Sequence, residues 1–104
     1  MKQVISTGNF KEFLQSVNER DRKKIIRHID NLADTGIDDI KHLREQIYEL
    51  RVHCGQSSYR VLFFYDRGNI IVLVCGFAKK TQKTPPAIIT KAIKIRKEYY
   101  DHIQ

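Results

Sequence analysis

Three consecutive strand-like runs decide the fold: "QIYELRVHC" at residues 46–54, "YRVLFFY" at residues 59–65 and "IIVLVCGF" at residues 70–77. The first run alternates, which predicts one face with Tyr48, Leu50, Val52 and Cys54 and an opposite face with Glu49, Arg51 and His53. The third run is apolar on both faces, which favours a strand covered on both sides. The turns "GQSS" and "DRGN", where Gly68 and Asn69 can take positive φ, predict an antiparallel meander.

Helical patterns flank this meander. Apolar residues at helical spacing predict a short helix over residues 9–17 and an amphipathic helix over about residues 20–34, ended by Gly36. Only a few residues separate the two, so we expect an antiparallel helical hairpin. Thr84 as N-cap and Pro85 as first helical residue predict a last helix, whose inner stripe includes Tyr99 and Tyr100. The opening "VISTG" is too short to decide whether an edge strand precedes them.

This order of elements predicts a single α+β domain over residues 1–104. We expect the N-terminal helical hairpin to pack on a small, mainly antiparallel sheet, followed by the C-terminal helix. A chain of 104 residues has room for one core. The opening lacks a secretory signal and the longest apolar run is too short to cross a bilayer, so we expect a cytoplasmic protein without a membrane partner.

The charge balance is strongly basic. Nineteen Lys and Arg stand against twelve Asp and Glu, a formal charge of +7. Such a charge favours nucleic acid, an acidic protein or another anionic surface as partner, the alternative being charge that only keeps the protein soluble. Cys54 and Cys75 are expected to be buried, reduced thiols. The histidines and cysteines lack ligand spacing, so we expect neither a metal nor another cofactor.

The placement of the charge points to an anion site. Arg60 stands in an otherwise apolar run, where it either pairs with Glu49 on the neighbouring strand or binds a ligand. The meander can bring Arg51 and Arg60 to one side of the sheet, together with the lysines that follow the third strand, Lys79, Lys80 and Lys83. Cations neutralise phosphates and aromatic rings stack on unpaired bases, so RNA is the ligand that such a patch suits.

The motifs "YELR", "YRVLF" and "GFAKKTQKTP", the last followed by a helix, resemble the HigB-like toxins, the phage Gp49-type branch of the RelE superfamily. The resemblance covers about residues 40–104 and implies a RelE-like fold. It further implies a bacterial type II toxin, a metal-independent endoribonuclease that cuts mRNA in the ribosomal A site by attack of a ribose 2′-OH. Its implied partners are the ribosome, mRNA and a helix-turn-helix, HigA-like antitoxin, with DNA contacted only indirectly through that antitoxin.

The resemblance also suggests roles for basic residues. Arg60 matches the phosphate-contacting arginine of the family, and Arg51 matches a basic position on the preceding strand. Lys79 or Lys80 matches the basic residue just past the last strand. The residues expected to hold RNA outside the reacting phosphate are Lys83, Phe77 and Tyr59.

Two parts of the family pattern are altered or open. Glu49 stands where better-known RelE members carry a lysine, so His53 on the same face is the candidate to activate the 2′-OH. The C-terminal acid–base candidates are Tyr99, Tyr100, Asp101 and His102, the alternative being that the tyrosines pack inward. Two other functions are compatible with the fold: a non-catalytic RNA- or ribosome-binding member, and a structural phage protein, for which so basic a strand end is poorly suited.

Overall fold

The computed structural model describes residues 1–80 and 82–102. The elements, in chain order, are β1 (Gln3–Ser6), α1 (Gly8–Ser16), α2 (Glu19–Thr35), β2 (Ile40–Arg44), β3 (Ile47–Cys54), β4 (Ser57–Asp66), β5 (Ile70–Ala78) and α3 (Pro86–His102). The five strands form one sheet in the order β1-β5-β4-β3-β2. β1 pairs parallel to β5, and the other neighbours pair antiparallel. The predicted α+β architecture is confirmed.

One face of the sheet packs against α1 and α2. Its buried residues include Leu50, Val52, Val61, Phe63, Ile71 and Leu73, which meet Phe10, Ile25, Ile29 and Leu32 of the helices. Arg22 joins the two helices, because its Nε donates to Leu14 O at 3.0 Å and its Nη2 donates to Val17 O at 2.8 Å. Leu14 O also accepts from Val17 N at 3.3 Å, so Arg22 reinforces the C-terminal end of α1 and holds the carbonyl that follows it. As predicted, α2 ends at Gly36, whose φ of 72° is the left-handed conformation that glycine favours.

The other face packs against α3. Its buried residues are Ile47, Leu62, Phe64, Val72, Val74 and Cys75, which meet Ala92 of the helix. α3 begins beside Glu49 and runs to Asp66, whose carboxylate accepts hydrogen bonds from Tyr99 and Tyr100. The sheet is therefore covered on both sides. No helix in the described ranges is long and apolar enough to span a bilayer.

Two expectations about the strands and the turn need correction. The meander has four strands, because β2 adds an antiparallel edge beside β3, and the undecided N-terminal segment forms the parallel edge strand β1. In the β4–β5 turn the positive φ angles belong to Arg67 (55°) and Gly68 (75°) rather than to Gly68 and Asn69. Three residues, 67–69, connect the paired Asp66 and Ile70, and a three-residue loop is a common hairpin connection.

The start of α3 also differs from the prediction. The carbonyl of Pro85 accepts from Ile88 N at 3.0 Å and from Ile89 N at 3.3 Å, and the helix begins at Pro86. Pro85 therefore occupies the capping position, and Pro86 is the first helical residue, where a missing N–H costs nothing. Thr84 lies before the helix, and its hydroxyl donates to Glu49 Oε1 instead of capping.

A β-bulge in β5 changes which face its last residues use. Leu62 pairs with Cys75 but the next residue, Phe63, pairs with Leu73, so Val74 is an extra residue. Beyond the bulge the alternation is reversed. Gly76 faces α1, where a Cβ would lie 2.9 Å from Phe13 Cγ, and Phe77 faces the α3 side of the sheet opposite Arg60.

We expect Gly76→Ala to lower the free energy of unfolding by about 1–3 kcal/mol, because the added methyl group overpacks against the Phe13 ring. Gly8→Ala is the matched control, since its Cβ would meet nothing within 4 Å, and it should change stability by less than about 0.5 kcal/mol. Urea denaturation of both variants measures the difference. Equal stability of the two variants would show that α1 does not approach β5 this closely.

Candidate functional site

The predicted basic residues lie in rows across β3, β4 and β5. Arg51 pairs with Arg60, and Arg60 pairs with Phe77, so these three side chains share the α3 face of the sheet. In the next row His53 pairs with Ser58, whose carbonyl accepts from Lys79 N at 2.8 Å. Neighbouring strands lie about 4.8 Å apart. The meander thus brings the two arginines side by side, as the sequence predicted.

Glu49 lies between the two arginines. Its Oε2 is 3.3 Å from Arg51 Nε, and its Oε1 is 3.7 Å from Arg60 Nε. The hydroxyl of Thr84 donates to the same Oε1. Glu49 is 2 % exposed and Arg60 is 5 % exposed, so this carboxylate and one of its cations are buried. We call Glu49, Arg51 and Arg60 the arginine site.

The arginine site keeps a net positive charge. Two guanidinium groups surround one carboxylate, and burial strengthens every interaction among them because the local dielectric is low. Arg60 is fixed further by Nη1, which donates to Tyr59 O at 3.4 Å. The side chain of Arg51 is 34 % exposed. A ligand that arrives from solvent therefore meets Arg51 first. The sequence left open whether Arg60 pairs with Glu49, and the structure shows that it does.

Lysines surround the arginine site in two open clefts. The first, of about 300 Å³, we call the lysine cleft; it is lined by Gln56, Ser58, Lys79, Lys80 and Gln82. The second, of about 220 Å³, lies on the other side of residues 82–84; it is lined by Lys41, Leu43, Glu49, Arg51, Gln82, Lys83, Thr84 and Ile89. The strand end and the segment before α3 thus place several cations around the arginine pair, a distribution that suits a polyanion.

His53 is the titratable side chain beside Arg51 on this face. Its side chain is 62 % exposed, its Nδ1 lies 3.0 Å from Ser58 Oγ, and its Nε2 lies 4.0 Å from Asp39 Oδ2. Residues two apart on a strand point the same way. His53 can therefore reach a ligand held by Arg51, whereas Glu49 is 2 % exposed and its carboxylate is already held by Arg51, Arg60 and Thr84.

The C-terminal candidates lie elsewhere. Tyr99 and Tyr100 each donate to Asp66 at 3.0 Å and pack against Phe64. Burial, with the hydrogen bond to Asp66 second, raises the pKa of both tyrosines. Asp66 is six residues from Arg60 along β4, about 20 Å. The inward packing is thus the observed arrangement, and the structure does not bring these tyrosines to the arginine site.

Asp101 and His102, the last residues of α3, also lie far from the arginine site. His102 Nδ1 is 2.7 Å from the carbonyl oxygen of Glu98, and Asp101 is exposed. Both follow the tyrosines by one or two residues, at the end of the helix far from Glu49. A regular helix carries its end away from its start by about 1.5 Å per residue. The physical reason for the separation is therefore the unbroken length of α3.

Tyr59 lies on the wrong face for the role expected of it. It is 8 % exposed, and its hydroxyl donates to Asp21 at 2.6 Å on the α2 side of the sheet. This bond lowers the pKa of Asp21 and raises the pKa of Tyr59. The expectation that Tyr59 stacks on RNA is therefore corrected, whereas Phe77 stands next to Arg60 on the site face.

The cysteines are free and buried, as predicted. Burial raises the pKa of Cys75 to about 11, which leaves its thiol protonated and unreactive at neutral pH. Within residues 1–80 and 82–102 no group of three His, Cys, Asp or Glu side chains is placed to hold a metal ion.

Two contributors to the site escaped the sequence analysis. Thr84 was assigned to helix capping, yet its hydroxyl contacts Glu49. Lys41 pairs with Glu49 across β2 and β3, but β2 itself was not predicted. The signal for Lys41 would have been a strand before "EQIYEL". No pattern in the sequence signals the Thr84 contact, because it depends on where the segment before α3 crosses the sheet.

We expect Glu49→Ala to lower the free energy of unfolding by about 3–5 kcal/mol, because it leaves Arg60 buried without its counter-charge. Glu19→Ala is the control, since Glu19 is 78 % exposed in its pair with Lys23, and it should cost less than about 1 kcal/mol. Chemical denaturation measures both. A Glu49→Ala protein as stable as Glu19→Ala would contradict the buried ion pair.

Two sequence comparisons match most of the chain. The family described as phage-derived protein Gp49-like matches residues 12–97. An uncharacterised protein of Haemophilus influenzae is 36 % identical over 81 residues, which cover 77 % of this chain and 81 % of that protein.

Solved structures share the fold at low sequence identity. The toxin RelE of Escherichia coli in the free state has a TM-score of 0.67 at 12 % identity, covering 89 % of this chain and 95 % of that chain. A chain of the toxin–antitoxin complex RelBE2 from Mycobacterium tuberculosis has a TM-score of 0.61 at 17 % identity, covering 75 % and 98 %. A chain of the RelB–RelE complex from Methanococcus jannaschii has a TM-score of 0.55 at 19 % identity, covering 96 % and 99 %. At such identities the likeness establishes a RelE-like fold.

Proposed function

The chain belongs to the phage-derived Gp49-like family, and from that premise and its RelE-like fold we propose that it is the toxin of a bacterial type II toxin–antitoxin system. In this proposal it is a ribosome-dependent, metal-independent endoribonuclease that cuts mRNA and so inhibits translation. The observation that carries the proposal is the pairing of Arg51 with Arg60 on one sheet face, surrounded by lysines. Two guanidinium groups fit the oxygens of one phosphate.

The proposed reaction is attack of a ribose 2′-OH on the adjacent phosphorus. The new P–O bond forms as the bond to the 5′ oxygen breaks, giving a 2′,3′-cyclic phosphate and a free 5′-OH. Charge develops on the non-bridging oxygens in the transition state, where fixed positive groups stabilise it most. In this proposal Arg51 and Arg60 supply that charge, and Lys79 or Lys80 supplies a third positive group.

Proton transfer falls to groups that a substrate can touch. His53 is exposed beside Arg51, so we assign it the proton of the attacking 2′-OH. We assign to Lys79, on the row of His53 and Ser58, the proton that the leaving 5′ oxygen takes up. Glu49 is buried, so its role is to position both arginines. Phe77 is proposed to stack on a base beside the reacting phosphate, and Lys83 to hold the RNA backbone.

The proposed partners follow from the charge and from the relatives. A charge of +7 favours RNA and an acidic inhibitor. The RelE chains from Mycobacterium tuberculosis and Methanococcus jannaschii were solved in complexes with antitoxins, which supports a cognate antitoxin here. We propose a HigA-like antitoxin, through which DNA is contacted indirectly, and action on ribosomes in the cytoplasm.

We expect Arg60→Ala to abolish growth arrest and to slow mRNA cleavage by about 10²–10³-fold, because it removes charge from the transition state. Arg67→Ala is the control, since Arg67 is exposed in the turn at the opposite end of β4, and it should stay toxic. Expression is induced in a growing bacterium and mRNA 5′ ends are mapped. Binding to the antitoxin, which Arg60→Ala should keep, reports that the variant is folded.

Full growth arrest by a folded Arg60→Ala protein would remove Arg60 from the site. Growth arrest with intact mRNA that still depends on Arg60 would instead favour the alternative function, a non-catalytic RNA- or ribosome-binding member of the fold. Glu49 supports that alternative, because its carboxylate already neutralises one of the two arginine charges.

We expect His53→Gln to slow cleavage by about 10²–10⁴-fold, the usual contribution of one acid–base group, with unchanged binding of uncleavable RNA. His102→Gln is the matched control and should keep the full rate, because His102 ends α3 far from Arg51. Single-turnover cleavage rates measure both variants. A larger loss of cleavage rate in His102→Gln than in His53→Gln would instead assign the proton transfer to the C-terminal residues.

A further inference from the structure

A further cationic cavity lies on the opposite face of the sheet. It has a volume of about 320 Å³ and is lined by Arg20, Asp21, Lys24, Arg27, Cys54 and Gly55; we call it the α2 pocket. The three cations are spaced i, i+4 and i+7 along α2, so they follow one stripe of the helix. None of them belongs to the arginine site, and the proposed reaction does not use them.

The floor of the α2 pocket is a buried carboxylate. Asp21 is 3 % exposed and accepts from Tyr59 Oη at 2.6 Å. Its other oxygen, Oδ1, accepts no hydrogen bond from the described residues, and Arg20 Nε lies 3.6 Å from it. The Arg20 side chain is itself 88 % exposed. Asp21 therefore contacts the guanidinium of Arg20 at Nε, while most of the Arg20 side chain is exposed to solvent.

The α2 pocket and the lysine cleft meet at the β3–β4 turn. Gly55 lines the α2 pocket, and the next residue, Gln56, lines the lysine cleft with Ser58 and Lys79. The turn is two residues long and lies at an end of the sheet, so consecutive residues of one turn line the two cavities. A flexible chain that leaves the arginine site through the lysine cleft can pass around this turn to Arg20, Lys24 and Arg27.

We propose that the α2 pocket is a second RNA-backbone subsite, which takes phosphates of the same strand that the arginine site holds, several nucleotides away. This inference rests on the proposed function for the identity of the strand. The lining favours a polyanion over a protein, because three cations stand against the single carboxylate of Asp21. Its apolar member, Cys54, is buried and offers a protein partner little surface. The lining contains none of the exposed large apolar side chains that a protein partner would anchor on, which are Met1, Val4, Ile5, Ile26 and Ile37.

The test compares RNA length and salt dependence. Binding of 2′-O-methyl oligoribonucleotides, which lack the attacking hydroxyl, is measured by fluorescence anisotropy at several salt concentrations. Oligonucleotides of about 4 and about 16 nucleotides bracket the usual length of a single-stranded site. The variant carries Arg20→Gln, Lys24→Gln and Arg27→Gln, and the control carries the same charge change on α3, Lys91→Gln, Lys94→Gln and Lys97→Gln.

For the long oligonucleotide we expect the α2 variant to lower the slope of log K against log salt by about 2, since each lost phosphate contact on a single strand is worth about 0.7. For the short one we expect no change, because it fills the arginine site alone. An equal loss for both lengths, or an equal loss in the α3 control, would mean a bulk charge effect and overturn the subsite. Unchanged RNA binding with lost antitoxin binding would overturn it in favour of a protein interface.

The outcome is separable from that of the proposed function. Growth arrest that Arg60→Ala abolishes, with an unchanged slope in the α2 variant, defeats only the subsite. A lowered slope with no growth arrest by the unaltered protein keeps the subsite and defeats the toxin assignment.

Discussion

The site depends on one buried carboxylate. Glu49 contacts the guanidinium of Arg51 through Oε2, and through Oε1 it contacts the guanidinium of Arg60 and accepts a hydrogen bond from the hydroxyl of Thr84. Without it, two adjacent strands would hold like charges directly opposite each other, which is destabilising. With it, both arginines are fixed before any ligand arrives, and the segment that carries Lys83 is joined to the same group. Such fixed charge needs no reorganisation when a phosphate reacts.

The second determinant is the β-bulge at Val74. Strict alternation would send Phe77 to the face covered by α1 and α2, with Ile71 and Leu73. The extra residue instead turns Phe77 toward Arg60 and leaves Gly76 to face Phe13. This one bulge thus allows α1 to pack closely on β5 and also adds Phe77 to the face that carries the arginine site. Bulges are common next to functional sites.

Patterns within single elements predicted which residues share a strand face. Features that depend on contacts between distant parts of the chain could not be predicted from the sequence. Alternation in β3 placed Glu49, Arg51 and His53 on one face correctly, because one face of that strand is buried and fixes the register. The bulge could not be predicted, since "IIVLVCGF" is apolar on both faces and carries no alternation to interrupt. β2 was missed because its sequence, "IKHLR", mixes exposed polar and half-buried apolar residues. The C-terminal candidates lay far from the arginines because α3 runs unbroken from Pro86 to His102.

The most direct test of the central claim, that the arginine site promotes attack by a 2′-OH, is the chemistry of the RNA ends. Purified protein is added to a bacterial translation extract, and the 3′ ends of the mRNA fragments are identified. If the arginine site promotes this attack, we expect 2′,3′-cyclic phosphates paired with 5′-OH ends within translated regions. Fragments with 3′-OH and 5′-phosphate ends, or translation that stops with the mRNA intact, would contradict it.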